Sequence, residues 1–159
     1  MKKLSILSAL CGVAFAGAAS AANITIYYSP TCPHCHHARD FISSSLIYEY
    51  PQLTITEVNV MDSANSQKFQ DALKKCEYES GGVPVLVIGE KCFQGYADFM
   101  QGDLREAIEV DLSDEDKATA AENKKALEEN AEDFKSSHSD RTSAISEFVA
   151  ASEETAKKK

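Results

Sequence analysis

Cys32 and Cys35 are the residues whose types and spacing carry chemistry. They stand in Tyr28-Ser29-Pro30-Thr31-Cys32-Pro33-His34-Cys35, between a β-like run and a helix-like run. A helix that begins at the first cysteine has Pro33 at its first position, where a missing N–H costs nothing. Cys32 then lies on the unpaired N–H groups of the helix start, at the positive end of its dipole. Both features favour thiolate over thiol. Cys35, three residues on, shares that helix face and is within reach for a disulfide. The pattern points to thiol–disulfide exchange, with Cys32 attacking and Cys35 resolving the mixed disulfide. A static disulfide is the plainer alternative, and the helix-start placement argues against it.

Cys76 and Cys92 raise a second question. Cys76 follows Phe69 and Leu73 at helical spacing, so it belongs to a buried face. Cys92 sits on a short strand after a Gly89 turn. Three readings stand: a structural disulfide, two buried free thiols, or a second redox pair. The histidines invite a metal, because Cys32, His34, Cys35, His36 and His37 are close in sequence. One Cys-x-x-Cys without a second ligand pair is not a structural zinc site, and adjacent histidines point to different helix faces. No metal and no cofactor are expected.

The elements that must position these residues follow from pattern. Asn23 to Tyr28 is rich in β-formers and reads as a strand. Pro33 to about Tyr48 reads as a helix with Ala38, Phe41, Ile42 and Leu46 inward, weakened by Ser43 to Ser45. Leu53 to Val60 alternates, with a change of face near Glu57 that suggests a bulge. Ser63 to about Cys76 reads as a second helix. Val83 to Ile88 is a continuous apolar run, the mark of a strand covered on both faces. Lys91 to Gln94 is a short strand antiparallel to it, and about Ala97 to Val110 is a third helix. This order implies one four-stranded mixed α/β sheet with helices on both faces, its first two strands parallel.

The flanks differ in kind. Residues 1–22 have a basic start, an apolar run and a small-residue cleavage site, which is the layout of a signal peptide. Export is therefore expected, to the periplasm of a Gram-negative bacterium or to the medium otherwise. Cleavage removes Cys11 and leaves four cysteines, an even number suited to an oxidising compartment. It also leaves 14 basic against 25 acidic residues, a formal net charge of −11. That excess argues against nucleic acid or an anionic membrane surface as partner. Residues 23–110 form the domain. Residues 111–159 contain no Gly, Pro or Cys and read as a charged helical or partly disordered tail. Its thin apolar stripe, Leu127, Ala131 and Phe134, leaves open an amphipathic pair that docks on the domain, on a partner or on a second copy.

Residues 23–110 resemble the thioredoxin superfamily, and glutaredoxins more narrowly. The resemblance rests on Tyr28-Ser29-x-x-Cys32-Pro33-His34-Cys35, on Val83-Pro84 before a strand, and on Gly95 with Asp98 before the last helix. It implies a cis Val83–Pro84 bond beside the thiols and protein thiols or disulfides as substrates, with a membrane or soluble partner that recycles the pair. The Cys-Pro-His-Cys dipeptide is similar to that of oxidising periplasmic enzymes of the DsbA type, where His34 would stabilise reduced Cys32. Two departures matter. Glutaredoxins carry a basic residue before the motif and a Gly-Gly before the last helix. Here those places hold Ser29, Pro30 and Thr31, and Gln94-Gly95. The resemblance thus allows glutathione, and the departures argue against it. The resulting expectation is an exported thiol–disulfide oxidoreductase leaning towards oxidation. The alternatives are a reductase or isomerase, a metal- or thiol-binding module, or an interaction protein that works through its tail.

Overall fold

The computed structural model describes residues 22–150. All of the leader but Ala22, including Cys11, and residues 151–159 lie outside that range. The chain runs β1 (Asn23–Tyr28), α1 (Pro33–Phe41), α2 (Ile47–Glu49), β2 (Thr54–Asn59), α3 (Ser66–Lys75), β3 (Val85–Ile88), β4 (Lys91–Gln94), α4 (Gln101–Glu109), α5 (Asp114–Ser137) and β5 (Ile145–Glu147). The sheet order is β4-β3-β1-β2-β5. β1 pairs in parallel with β2, and β3 is antiparallel to β1. The C-terminal ends of β1 and β2 and the start of β3 therefore share one edge. That register brings Val83 next to a cysteine 51 residues earlier in the chain.

Strand alternation sends side chains to two cores. Ile24, Ile26, Ile55, Leu86 and Ile88 pack on the face that receives α1, α2, α4 and α5. Tyr27, Val58 and Val85 meet Phe69, Ala72 and Leu73 of α3 on the other. Each fully buried aliphatic side chain contributes roughly 2 kcal/mol, so the first core dominates. The first helix continues from α1 to α2 through a π-helical stretch, Ile42–Leu46. There Ser43 Oγ donates to the Asp40 carbonyl at 3.3 Å, a bond that competes with the helix ladder. The widened turn lets Ile42, Leu46 and Ile47 all lie inside.

Two expectations need correction. The sheet has five strands, not four. Ile145-Ser146-Glu147 is too short and too polar to show a strand pattern; it is a strand because β2 has an open edge to fill. Ile55, Thr56 and Glu57 pair with it in parallel, and Phe148 N–H donates to the Glu57 carbonyl at 2.7 Å. The expected bulge is absent too, since Asn23 to Tyr28 pair with Thr54 to Asn59 without a break. Glu57 looked like a change of face because it is a buried carboxylate on the core side.

Among the described residues beyond 110, α5 and β5 both pack on the domain. Ser113 caps α5 by accepting the Asp116 N–H at 3.1 Å, and Asp114, Glu115 and Asp116 suit the dipole. Ala120 is buried, and Leu127 and Phe134 pack against the first core. Arg141 donates to the carbonyls of Ile47 and Tyr50, at 2.9 and 2.8 Å, at the C-terminal end of α2. The Ile47 carbonyl is one that a helix end leaves unpaired, and the Tyr50 carbonyl also accepts from the Leu53 N–H at 3.0 Å. Val149 is exposed.

Candidate active site

Cys32 is the N-cap of α1 in extended conformation, and Pro33 follows at the first helical position. The Cys35 N–H donates to Cys32 Sγ at 3.2 Å. The sulfur thus stands where a capping oxygen stands in other helices. A turn sets it there: Cys32 N–H donates to the carbonyl of buried Ser29 at 3.1 Å. Cys32 is half-buried and Cys35 almost fully buried, both as free thiols. Burial pushes the Cys35 thiol up to about 12, helped by its bond to Cys32, while the Ser29 backbone and Arg39 pull the other way. One thiol is therefore accessible and the other is held protonated behind it.

The second side of the site comes from β3. The Val83–Pro84 peptide bond is cis. The Cys32 thiol donates to the Val83 carbonyl at 3.5 Å. Gln94 pins the loop that carries Val83, its side-chain amide donating to the carbonyls of Ser80 and Gly82 at 2.8 and 3.1 Å. Gly95, at φ +82, donates its N–H to the Pro84 carbonyl at 2.7 Å. Only a glycine takes that backbone conformation readily. Cys76 and Cys92 form a disulfide between the end of α3 and β4, Cα atoms 5.7 Å apart. It closes the same loop from its other end.

Pro33 and His34 are exposed, so the dipeptide between the cysteines faces solvent. His36 and His37 are exposed as well, and His36 Nε2 lies 2.8 Å from the Pro30 carbonyl. Among the described residues no three His, Cys, Asp or Glu side chains are grouped to hold a metal ion. A groove of about 600 Å³ lies on the α3 face, lined by Tyr27, Lys68, Asp71 and Phe148, and reaches neither thiol.

Behind the thiols is a charged group that motif reading missed. Arg39, one helical turn beyond Cys35, donates to both carboxylate oxygens of Glu57, at 2.9 and 2.6 Å. Its guanidinium lies over the Tyr28 ring, 4.3 Å from the centroid. Tyr28 donates to Glu147 at 3.0 Å. An acid inside an otherwise alternating apolar strand was the available signal for Glu57. Nothing local marks Glu147.

Residues 24–93 match the glutaredoxin family model. The matched region holds both thiols, Val83-Pro84 and the Cys76–Cys92 bridge, and stops before α4. That match covers less than half of the 159 residues. Among solved structures, a glutaredoxin from Archaeoglobus fulgidus is similar, with 22% identity, covering 58% of this chain and 88% of its own, at a TM-score of 0.41. No curated protein matches the chain. α5 and β5 lie outside the glutaredoxin match.

Proposed function

We propose that this protein is an exported thiol–disulfide oxidoreductase that acts on protein thiols and disulfides through Cys32 and Cys35. The observation that carries the reading is the asymmetry of the pair. Cys32 is accessible and accepts a helix-start N–H, while Cys35 is buried and held as a thiol. Cys32 forms the mixed disulfide, and Cys35 resolves it. In oxidation of a substrate the same bonds form and break in reverse.

The direction we assign is oxidation. His34 supports it: exposed and adjacent to the helix start, it can place a hydrogen bond or positive charge beside reduced Cys32 and so favour the dithiol form. One observation favours the reductant instead. The Val83 carbonyl accepts from the Cys32 thiol, and a carbonyl that welcomes S–H opposes S⁻. Glutathione is a poor substrate in either reading. Residues 29–31 are uncharged, and Arg39, the first cation after the motif, is engaged by Glu57. Export rests on the leader-like sequence, and the Cys76–Cys92 bridge suits an oxidising compartment. A membrane or soluble protein would recycle the pair.

The reduction potential of the Cys32–Cys35 pair, set against a glutathione redox buffer, tests the assignment. A value of about −120 mV marks an oxidant, and one of about −270 mV a reductant. His34→Val should move it towards the reducing end. If Cys32→Ser retains exchange with a protein disulfide, the whole reading fails.

A further inference from the structure

The C-terminal strand reaches the redox site from outside the glutaredoxin match. β5 lies in register with β2 so that Glu57 and Glu147 are direct partners. Like charges placed opposite each other on neighbouring strands are destabilising. The arrangement holds because each carboxylate has its own partner: Glu57 has Arg39, and Glu147 has the Tyr28 hydroxyl. Tyr28 and Arg39 touch each other in turn, ring against guanidinium. Glu57 is buried, while Glu147 is exposed apart from this contact. One cation and two carboxylates thus form one network, and its cation, Arg39, lies one helical turn from Cys35.

We propose that β5 is part of the redox machinery, and that Glu147 is a positioning residue that sets, through Tyr28 and Arg39, the charge felt by Cys35. The inference rests on the dithiol reading above. In the resolving step Cys35 gives up its proton, which ends on the departing substrate sulfur, and its thiolate attacks Cys32 Sγ of the mixed disulfide. The Cys32–Cys35 bond forms as the bond to the substrate sulfur breaks. The electron pair leaves on that sulfur, which takes up a proton. Positive charge near Cys35 favours the attacking thiolate, and Arg39 acts in that sense against the larger effect of burial. Cys35 is acted on by Cys32 and the Ser29 backbone from the helix start and by Arg39, and Arg39 in turn by Glu57 from β2, Tyr28 from β1 and Glu147 from β5. Glu147 offsets the guanidinium and slows resolution. A chain ending after α4 would lack that restraint.

The test uses the full chain in its reduced state with Cys76–Cys92 intact. A nitrobenzoate disulfide releases one coloured thiolate when Cys32 attacks it and a second when Cys35 resolves. Cys35→Ser defines the first release and any background from Cys11. Glu147→Gln keeps an oxygen to accept from Tyr28 and removes only the charge. It should speed the second release relative to the first by roughly threefold and move its pH profile to lower pH accordingly. Tyr28→Phe, which releases Glu147 towards solvent, should act in the same direction. The double variant should be no faster than the faster single one, since both act through one network. A second release with unchanged rate and pH profile in both single variants would overturn the inference alone. A wild-type protein with no second release would overturn the dithiol reading and this inference with it.

Discussion

Removing the Cys76–Cys92 bridge should lower stability without stopping exchange at Cys32. The two cysteines are 16 residues apart and tie the end of α3 to β4. In the chain-entropy account, a closed loop of that size stabilises the fold by about 3 kcal/mol, because the unfolded chain is denied its open conformations. Unfolding entropy is roughly 2 cal/mol/K per residue, so a folded unit of about 130 residues should lose about 10 °C from its melting midpoint. The substitution is Cys76→Ala with Cys92→Ala. Both side chains are half-buried, so the missing sulfurs add a small packing loss of the same sign. Thermal unfolding without reductant, followed by far-ultraviolet circular dichroism, reads the midpoint. Exchange with a protein disulfide at 25 °C, where the variant stays folded, reads the chemistry. The loop that carries Val83 keeps the Gln94 clamp in the variant, so exchange should persist. A midpoint within about 2 °C of the wild type would refute the loop-closure reasoning. Exchange lost at 25 °C in a folded variant would instead make the bridge a second redox pair.

Two further outcomes follow from buried polar groups. Glu49 is nearly inaccessible and takes two hydrogen bonds from Arg105, at 2.7 and 2.8 Å. Arg105→Met should cost roughly 3–5 kcal/mol in urea unfolding, because it strands the carboxylate, and adding Glu49→Leu should recover much of that; equal stability of Arg105→Met and wild type would contradict it. The Cys35 thiol is raised from 9.0 to about 12, and the Tyr50 hydroxyl is raised above 10.0 by burial and its bond to Glu109. Both groups hold their protons harder in the folded state than in the unfolded one. Their stabilisation is complete below about pH 9 and is lost as pH rises through the range above it. The melting midpoint should fall from about pH 9 upward. Cys35→Ser should remove the lower part of that fall and Tyr50→Phe should flatten the upper part, and a fall unchanged in both would disprove the assignment.

Much of this protein was determined by the sequence alone, and the reason is that those features are local. Pro33 at a helix start, a cysteine at its cap and the alternation of Asn23 to Tyr28 need only near neighbours to act. The four strands of the central domain, the parallel pairing of β1 with β2 and the placement of Cys32 at a helix start were all legible on that basis. The apolar run before Ile88 also marked a strand covered on both faces. Tertiary structure decided the rest. Ile145-Ser146-Glu147 has no pattern of its own and becomes a strand because β2 offers an open edge. Glu57 is tolerated inside because Arg39, from a different element, reaches it. Gln94 matters only because the fold brings Ser80 and Gly82 under its amide. A hydrogen-bond partner contributed from 12 to 119 residues away leaves no periodicity to read. The cysteines therefore announce the chemistry, while the charge and the backbone that surround them are set by contacts that only the folded chain contains.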